Sequence, residues 1–66
     1  MELIVNGETR ETPEGISVSR LIELLEFKGR FFAVELNREL VPHDRHAATT
    51  LHEGDQVEIV TLVGGG

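Results

Sequence analysis

Histidines, carboxylates and a run of terminal glycines are the reactive repertoire of this chain, which has no cysteine. His43 and His46 are three residues apart with Asp44 between them, and His52 stands separately. A zinc site needs three or four convergent ligands. This pair falls in an expected surface turn, so no metal site is expected. There is no nucleophile elbow, no phosphate loop and no zinc-binding cysteine pair. The carboxylates scatter over a helix surface and turns. Gly64, Gly65 and Gly66 follow a strand and precede no helix, so they cannot cradle a phosphate in the usual way. A domain with one helix also offers little room for a substrate pocket. An independent enzyme is not expected.

What remains is the carboxylate of Gly66. The glycines directly follow the apolar run Val57-Glu58-Ile59-Val60-Thr61-Leu62-Val63, which reads as a buried strand. A packed body therefore gives way at once to a slim thread. Glycine has no Cβ and tolerates both signs of φ, so Gly64 to Gly66 can enter a channel too narrow for other residues. Extended, three residues reach about 10 Å. One reading is that another enzyme acts on the Gly66 carboxylate; the other is a frayed end without a role. A carboxylate resists nucleophilic attack because it is already negative. Adenylation with ATP gives it a good leaving group. The mixed anhydride can then accept sulfur to become a thiocarboxylate, or a cysteine thiol that passes the chain to an amine. The adenylating site must admit the last residues and exclude water.

Sixty-six residues make one small domain, near the lower limit of what folds without disulfides or metals. The expected division is residues 1–63 as the domain and 64–66 as a flexible tail. The absence of cysteine fits a reducing compartment. No apolar stretch approaches the ~20 residues that span a bilayer, and no signal-peptide pattern opens the chain. A cytoplasmic location without membrane contact is expected. The net charge of −6 argues against nucleic-acid binding, which needs a basic patch, and suits steering toward basic protein surfaces.

The elements that must position the tail are legible. Leu3-Ile4-Val5 runs into Asn6-Gly7, the strongest short-range hairpin signal, because both central residues of a type I′ turn need φ > 0. The return strand, Glu8 to Thr12, is polar throughout and belongs at a sheet edge. Pro13, Glu14 and Gly15 break the sheet. Ser17 then caps a helix, with Ile16 and Leu21 placed for a hydrophobic staple. Val18, Leu21, Ile22 and Leu25 form its apolar stripe, which Leu24 widens. Gly29 is the expected left-handed stop. Phe27 is off the stripe, so the last turn is expected to unwind and bring it inward; exposure as a docking aromatic is the less favoured option. Phe31 to Leu36 is a central strand with Phe32, Val34 and Leu36 on one face. Asn37-Arg38 turns the chain into a short strand at Leu40-Val41. Residues 43–53 are irregular with one helical turn expected among them, and Glu53-Gly54-Asp55 leads into the last strand.

These elements predict an α+β fold, a mixed four- or five-stranded sheet with one main helix on one face. The first and last strands are the most apolar and should be central. As neighbours they would run parallel, joined by a right-handed crossover. That arrangement is the β-grasp, or ubiquitin-like, roll. In the last strand Glu58 marks the outward set, which puts Val60 and Leu62 on the open sheet face, with Phe31 and Ala33 nearby. Exposed apolar residues there suit a partner surface.

The element order resembles that of the ThiS-type sulfur carriers of thiamine biosynthesis. So do the Asn6-Gly7 turn, Ala33-Val34-Glu35-Leu36-Asn37 with Leu40-Val41-Pro42, Glu53 through Val60, and the Gly65-Gly66 end. The resemblance covers the whole chain. It implies that a ThiF-like adenylyltransferase activates Gly66 and that a sulfur-transfer enzyme, fed from cysteine, converts it to the thiocarboxylate. A ThiG-like thiazole synthase then takes the sulfur. It also implies that the chain binds no cofactor, that ATP and Mg belong to the adenylating partner, and that the carrier is a monomer when alone. The small subunit of molybdopterin synthase is a related rival, but Lys28-Gly29-Arg30 is a shorter link than those chains carry. The residues are also compatible with a carrier for another sulfur pathway, a modifier conjugated to lysines, or a β-grasp interaction module with an inert tail.

Overall fold

A computed structural model describes residues 1–29 and 31–61. Leu62, Val63 and the glycines 64–66, and with them the expected flexible tail, lie outside the described residues.

The Leu3-Ile4-Val5 run forms β1 (Glu2–Val5), which turns at Asn6-Gly7 into β2 (Glu8–Glu11). Asn6 at φ 49° and Gly7 at φ 83° both take the positive values that the turn requires. Every residue of β2 is exposed, as its polar sequence and edge position demand. The helix α1 (Val18–Leu24) starts where Ser17 caps it: its hydroxyl accepts the Arg20 N–H at 3.1 Å. Then come β3 (Phe32–Leu36), β4 (Glu39–Val41), a 3-10 helix (His43–Ala48) and β5 (Gln56–Thr61). The sheet order is β2-β1-β5-β3-β4, with β1 and β5 parallel at its centre. It is the β-grasp roll, with five strands. Among the described residues no helix is long and apolar enough to cross a membrane.

The core lies between α1 and one sheet face. Leu3 and Val5 from β1, Val18 and Leu21 from α1, Val34 from β3, and Val57 and Ile59 from β5 form a buried cluster with Leu51. Ile16, Ile22, Leu25, Phe27, Phe32 and Leu36 pack around it. Leu51 reaches the cluster because residues 49–51 run beside the helix entry: Val18 N–H donates to Thr49 O at 3.0 Å and Leu51 N–H to Ile16 O at 2.9 Å.

Three expectations from the sequence need correction. First, the left-handed residue that ends α1 is Glu26, at φ 54°, not Gly29. Glu26 N–H donates to Glu23 O and Phe27 N–H to Ile22 O, which is the Schellman pattern, with Phe27 turned back over Ile22. Gly29 serves another purpose: a Cβ there would lie 2.6 Å from Cε1 of Phe27. The inward fold of Phe27 thus dictates glycine two residues later. Second, Leu24 does not widen the buried stripe; it is 41% exposed, while Leu21 and Leu25 carry the packing of that end of the helix. Third, His46 is not in a surface turn. It is buried, stacks on Phe32 with ring centroids 6.0 Å apart, and donates through Nε2–H to Val41 O at 3.1 Å. Among the described residues no cluster of three or more His, Cys, Asp or Glu could hold a metal.

Two turn asparagines grip β5. Asn37 Oδ1 accepts the Gln56 N–H at 3.0 Å, and Asn6 Oδ1 accepts the Ile59 N–H at 2.8 Å. The Asn6→Ala chain should therefore lose about 1–3 kcal/mol. It leaves the part-buried Ile59 N–H without its acceptor and puts a residue that disfavours positive φ at position 6. Urea unfolding of the two chains measures this.

Candidate docking face

The strand period divides β5 cleanly. Val57 and Ile59 face the helix and are buried; Glu58 and Val60 face away and are exposed. The β3–β5 register then fixes the neighbours on the outer face. Ala33 lies opposite Val60, Glu35 lies opposite Glu58, and Leu40 on β4 lies opposite Glu35. Val60 is 44% exposed, Leu40 66%, and Phe31, one residue before β3, 68%. Ala33 is half-buried. The outer face is thus an apolar strip, Val60 and Ala33 with Phe31 at its end, beside an acidic row.

Of the residues singled out from sequence, the structure places Val60 and Ala33 opposite each other on this outer face and leaves Phe31 exposed. Leu62 and Gly64, Gly65 and Gly66 lie outside the described residues. Two features escape the sequence reading. Leu40 falls in the expected short return strand without a face assigned to it; the Val34↔Val41 pairing turns Val41 inward and Leu40 out. The alternation Glu39-Leu40-Val41 holds that signal only once a partner fixes which member faces the core. The second is the Glu35↔Glu58 pair. Like charges directly opposite each other destabilise a sheet, and neither carboxylate has a cationic partner among the described residues. An unfavourable pair kept at the centre of an exposed face is the kind of local conflict that marks a surface awaiting a complementary charge.

Comparison with known proteins joins this geometry to a family. The ThiS family model matches residues 3–66. The crystal structure of the thiamine biosynthesis protein ThiS from Geobacter metallireducens superposes with a TM-score of 0.89 at 35% identity, covering all of both chains. The sulfur carrier protein ThiS of Escherichia coli is 26% identical over the full length of both. The thiazole synthase of Paramagnetospirillum magneticum is 39% identical over the whole of this chain, which spans only 20% of that protein. The family match over nearly the whole sequence and the full-length structural likeness agree: the chain belongs to the ThiS family of sulfur carriers.

Proposed function

We propose that the Gly66 carboxylate is adenylated by a ThiF-like enzyme, converted to a thiocarboxylate, and used as the sulfur source for thiazole formation in thiamine biosynthesis. As a member of a carrier family the chain is not a catalyst; it is the co-substrate of its partners. The observation that best supports this reading is the full-length alignment with the Escherichia coli carrier, which runs through Gly66. The second support is the match to thiazole synthases, in which a domain like this one shares a polypeptide with the synthase. Fusion removes the entropic cost of bringing two partners together, which benefits only partners that meet.

The chemistry asks little of the body and much of the terminus. ATP and Mg are supplied at the partner's site, where the α-phosphate is attacked by the Gly66 carboxylate and pyrophosphate leaves. The terminal sulfur of a persulfide on the sulfur-transfer enzyme then displaces AMP to give an acyl disulfide, and a second thiol cleaves its S–S bond, releasing the thiocarboxylate and leaving a disulfide. The strip of Val60, Ala33 and Phe31 provides docking area, Leu62 is a further proposed partner contact, and Glu35 and Glu58 provide attraction for basic groups. A cytoplasmic setting, where the activating enzyme and ATP meet the carrier, fits this scheme.

The test is intact mass. After incubation with ATP, the cognate adenylating enzyme and a sulfur donor, the chain should gain the mass difference between sulfur and oxygen. The gain should map to a C-terminal peptide and vanish on alkaline hydrolysis. An unchanged mass with an active adenylating enzyme would identify an inert tail. A mass increase equal to a second protein on lysine would favour conjugation.

A further inference from the structure

β5 has a neighbour on its β3 side from Val57 to Thr61, where Leu36 pairs with Val57 and Phe32 with Thr61. On its β1 side the pairing stops at Val5↔Val57, because the Asn6-Gly7 turn carries the chain away. One more rung crosses the gap: Ile59 N–H donates to Asn6 Oδ1 at 2.8 Å, a carboxamide standing where the carbonyl of a continuing strand would be. The N–H and C=O of one strand residue point to the same edge, and successive residues alternate. The Ile59 carbonyl and the Thr61 N–H and carbonyl therefore all face the open lane beyond Asn6. Among the described residues no backbone group pairs with them. The lane is furnished on both sides. On the helix side runs a groove of about 330 Å³ bordered by Asn6, Glu8, Arg10, Leu25, Phe27 and Ile59. On the outer side stand Glu58 and Val60.

We propose that a partner enzyme adds an extended segment to this lane as a strand beside Ile59–Thr61, directly ahead of residues 62–66. The occupant alternates apolar and basic residues. Strand geometry sends alternate side chains to opposite faces. Its apolar members enter the groove against Leu25, Phe27 and Ile59, whose polar lining is Asn6, Glu8 and Arg10, and its basic members lie by Glu58 on the outer face. Main-chain bonds supply affinity and alternate side chains supply specificity. A second copy of this chain is the poorer occupant, since pairing two β5 edges would set Glu58 near its own counterpart in a molecule of net charge −6. The inference rests on the carrier reading and adds to it. A strand held on both edges emerges in one fixed direction, so the tail would be aimed at the partner's active site by backbone pairing as well as by the outer face.

The experiment uses the full ¹⁵N-labelled chain with the thiazole synthase of the same organism as probe. Amide exchange of Thr61 is followed alone and in complex, and binding is compared for Thr61→Pro and Thr61→Val. Proline removes an N–H that has no acceptor among the described residues, at an edge position where strands tolerate it; valine keeps that N–H. The Thr61 amide should be protected in the complex, and T61P should bind about tenfold more weakly than T61V at unchanged melting temperature, because a lost rung leaves a partner carbonyl unpaired. If Thr61 stays unprotected and the two variants bind alike, strand addition is overturned while the carrier reading stands. If the wild-type chain does not bind the synthase at all, the carrier reading's partner and this proposal fall together. Concentration-dependent protection of Thr61 without enzyme would give the lane to a second copy and overturn the proposal.

Discussion

The Gly66→Val chain is expected to lose ATP–pyrophosphate exchange with its adenylating enzyme by at least about 100-fold, the scale on which displacement of a reacting group by ~1 Å is felt. The side chain would sit on the carbon next to the reacting carboxylate, where the channel must close around the main chain to exclude water. The body should not notice. The buried cluster of the described residues is complete by Ile59, and Val60 and Thr61 are already exposed. Melting temperature should therefore match wild type, which separates a chemical defect from a folding defect. Gly64→Ala should cost much less, being two residues from the reacting carbon. Exchange at the wild-type rate with the valine chain would remove the slim terminus from the mechanism.

The largest effect on stability is expected at Leu21. It is fully buried between α1 and the sheet, so Leu21→Ala should cost about 2–5 kcal/mol. At roughly 0.05–0.15 kcal/mol per residue, a domain of this length holds only about 3–10 kcal/mol in total. L21A should thus lose roughly half of the total stability, and its urea midpoint should fall in proportion. Leu24→Ala is the internal control. Leu24 lies on the same helix but is 41% exposed, so its loss should be below about 1 kcal/mol. Equal effects at the two positions would mean that the helix packs on a different face from the one described.

The fold is legible in the sequence because its signals are short-range and agree with one another. Asn6-Gly7 can hardly be anything but a hairpin turn, Ser17 with the stripe at 18, 21, 22 and 25 announces a capped helix, and an all-polar β2 belongs at an edge. Even the inward turn of Phe27 follows from its misplacement on the helical wheel. What the sequence hides depends on contacts across the chain. Gly29 looks like a helix stop because glycine usually is one; only the position of the Phe27 ring shows that it makes room instead. His46 reads as polar and exposed until Val41 offers a carbonyl and Phe32 a ring. Leu40 and the Glu35↔Glu58 conflict require the register of three strands. The outward position of Val60 is available from alternation alone, since Glu58 fixes the phase. The grip of Asn6 on Ile59 is not, because nothing local pairs residues so far apart.

The central place of β5 has a consequence for synthesis. Without it, β1–β2 and β3–β4 are two separate hairpins, and neither has the neighbour that joins them into one sheet. A nascent chain interrupted anywhere before Gln56 cannot close its core, and isolated hairpins are marginal in water. Folding must wait until β5 has left the ribosome. An unfinished polypeptide would then present no docking face and would be cleared as unfolded protein. The enzymes that consume the carrier would thereby be spared competition from shortened copies that could bind but carry nothing.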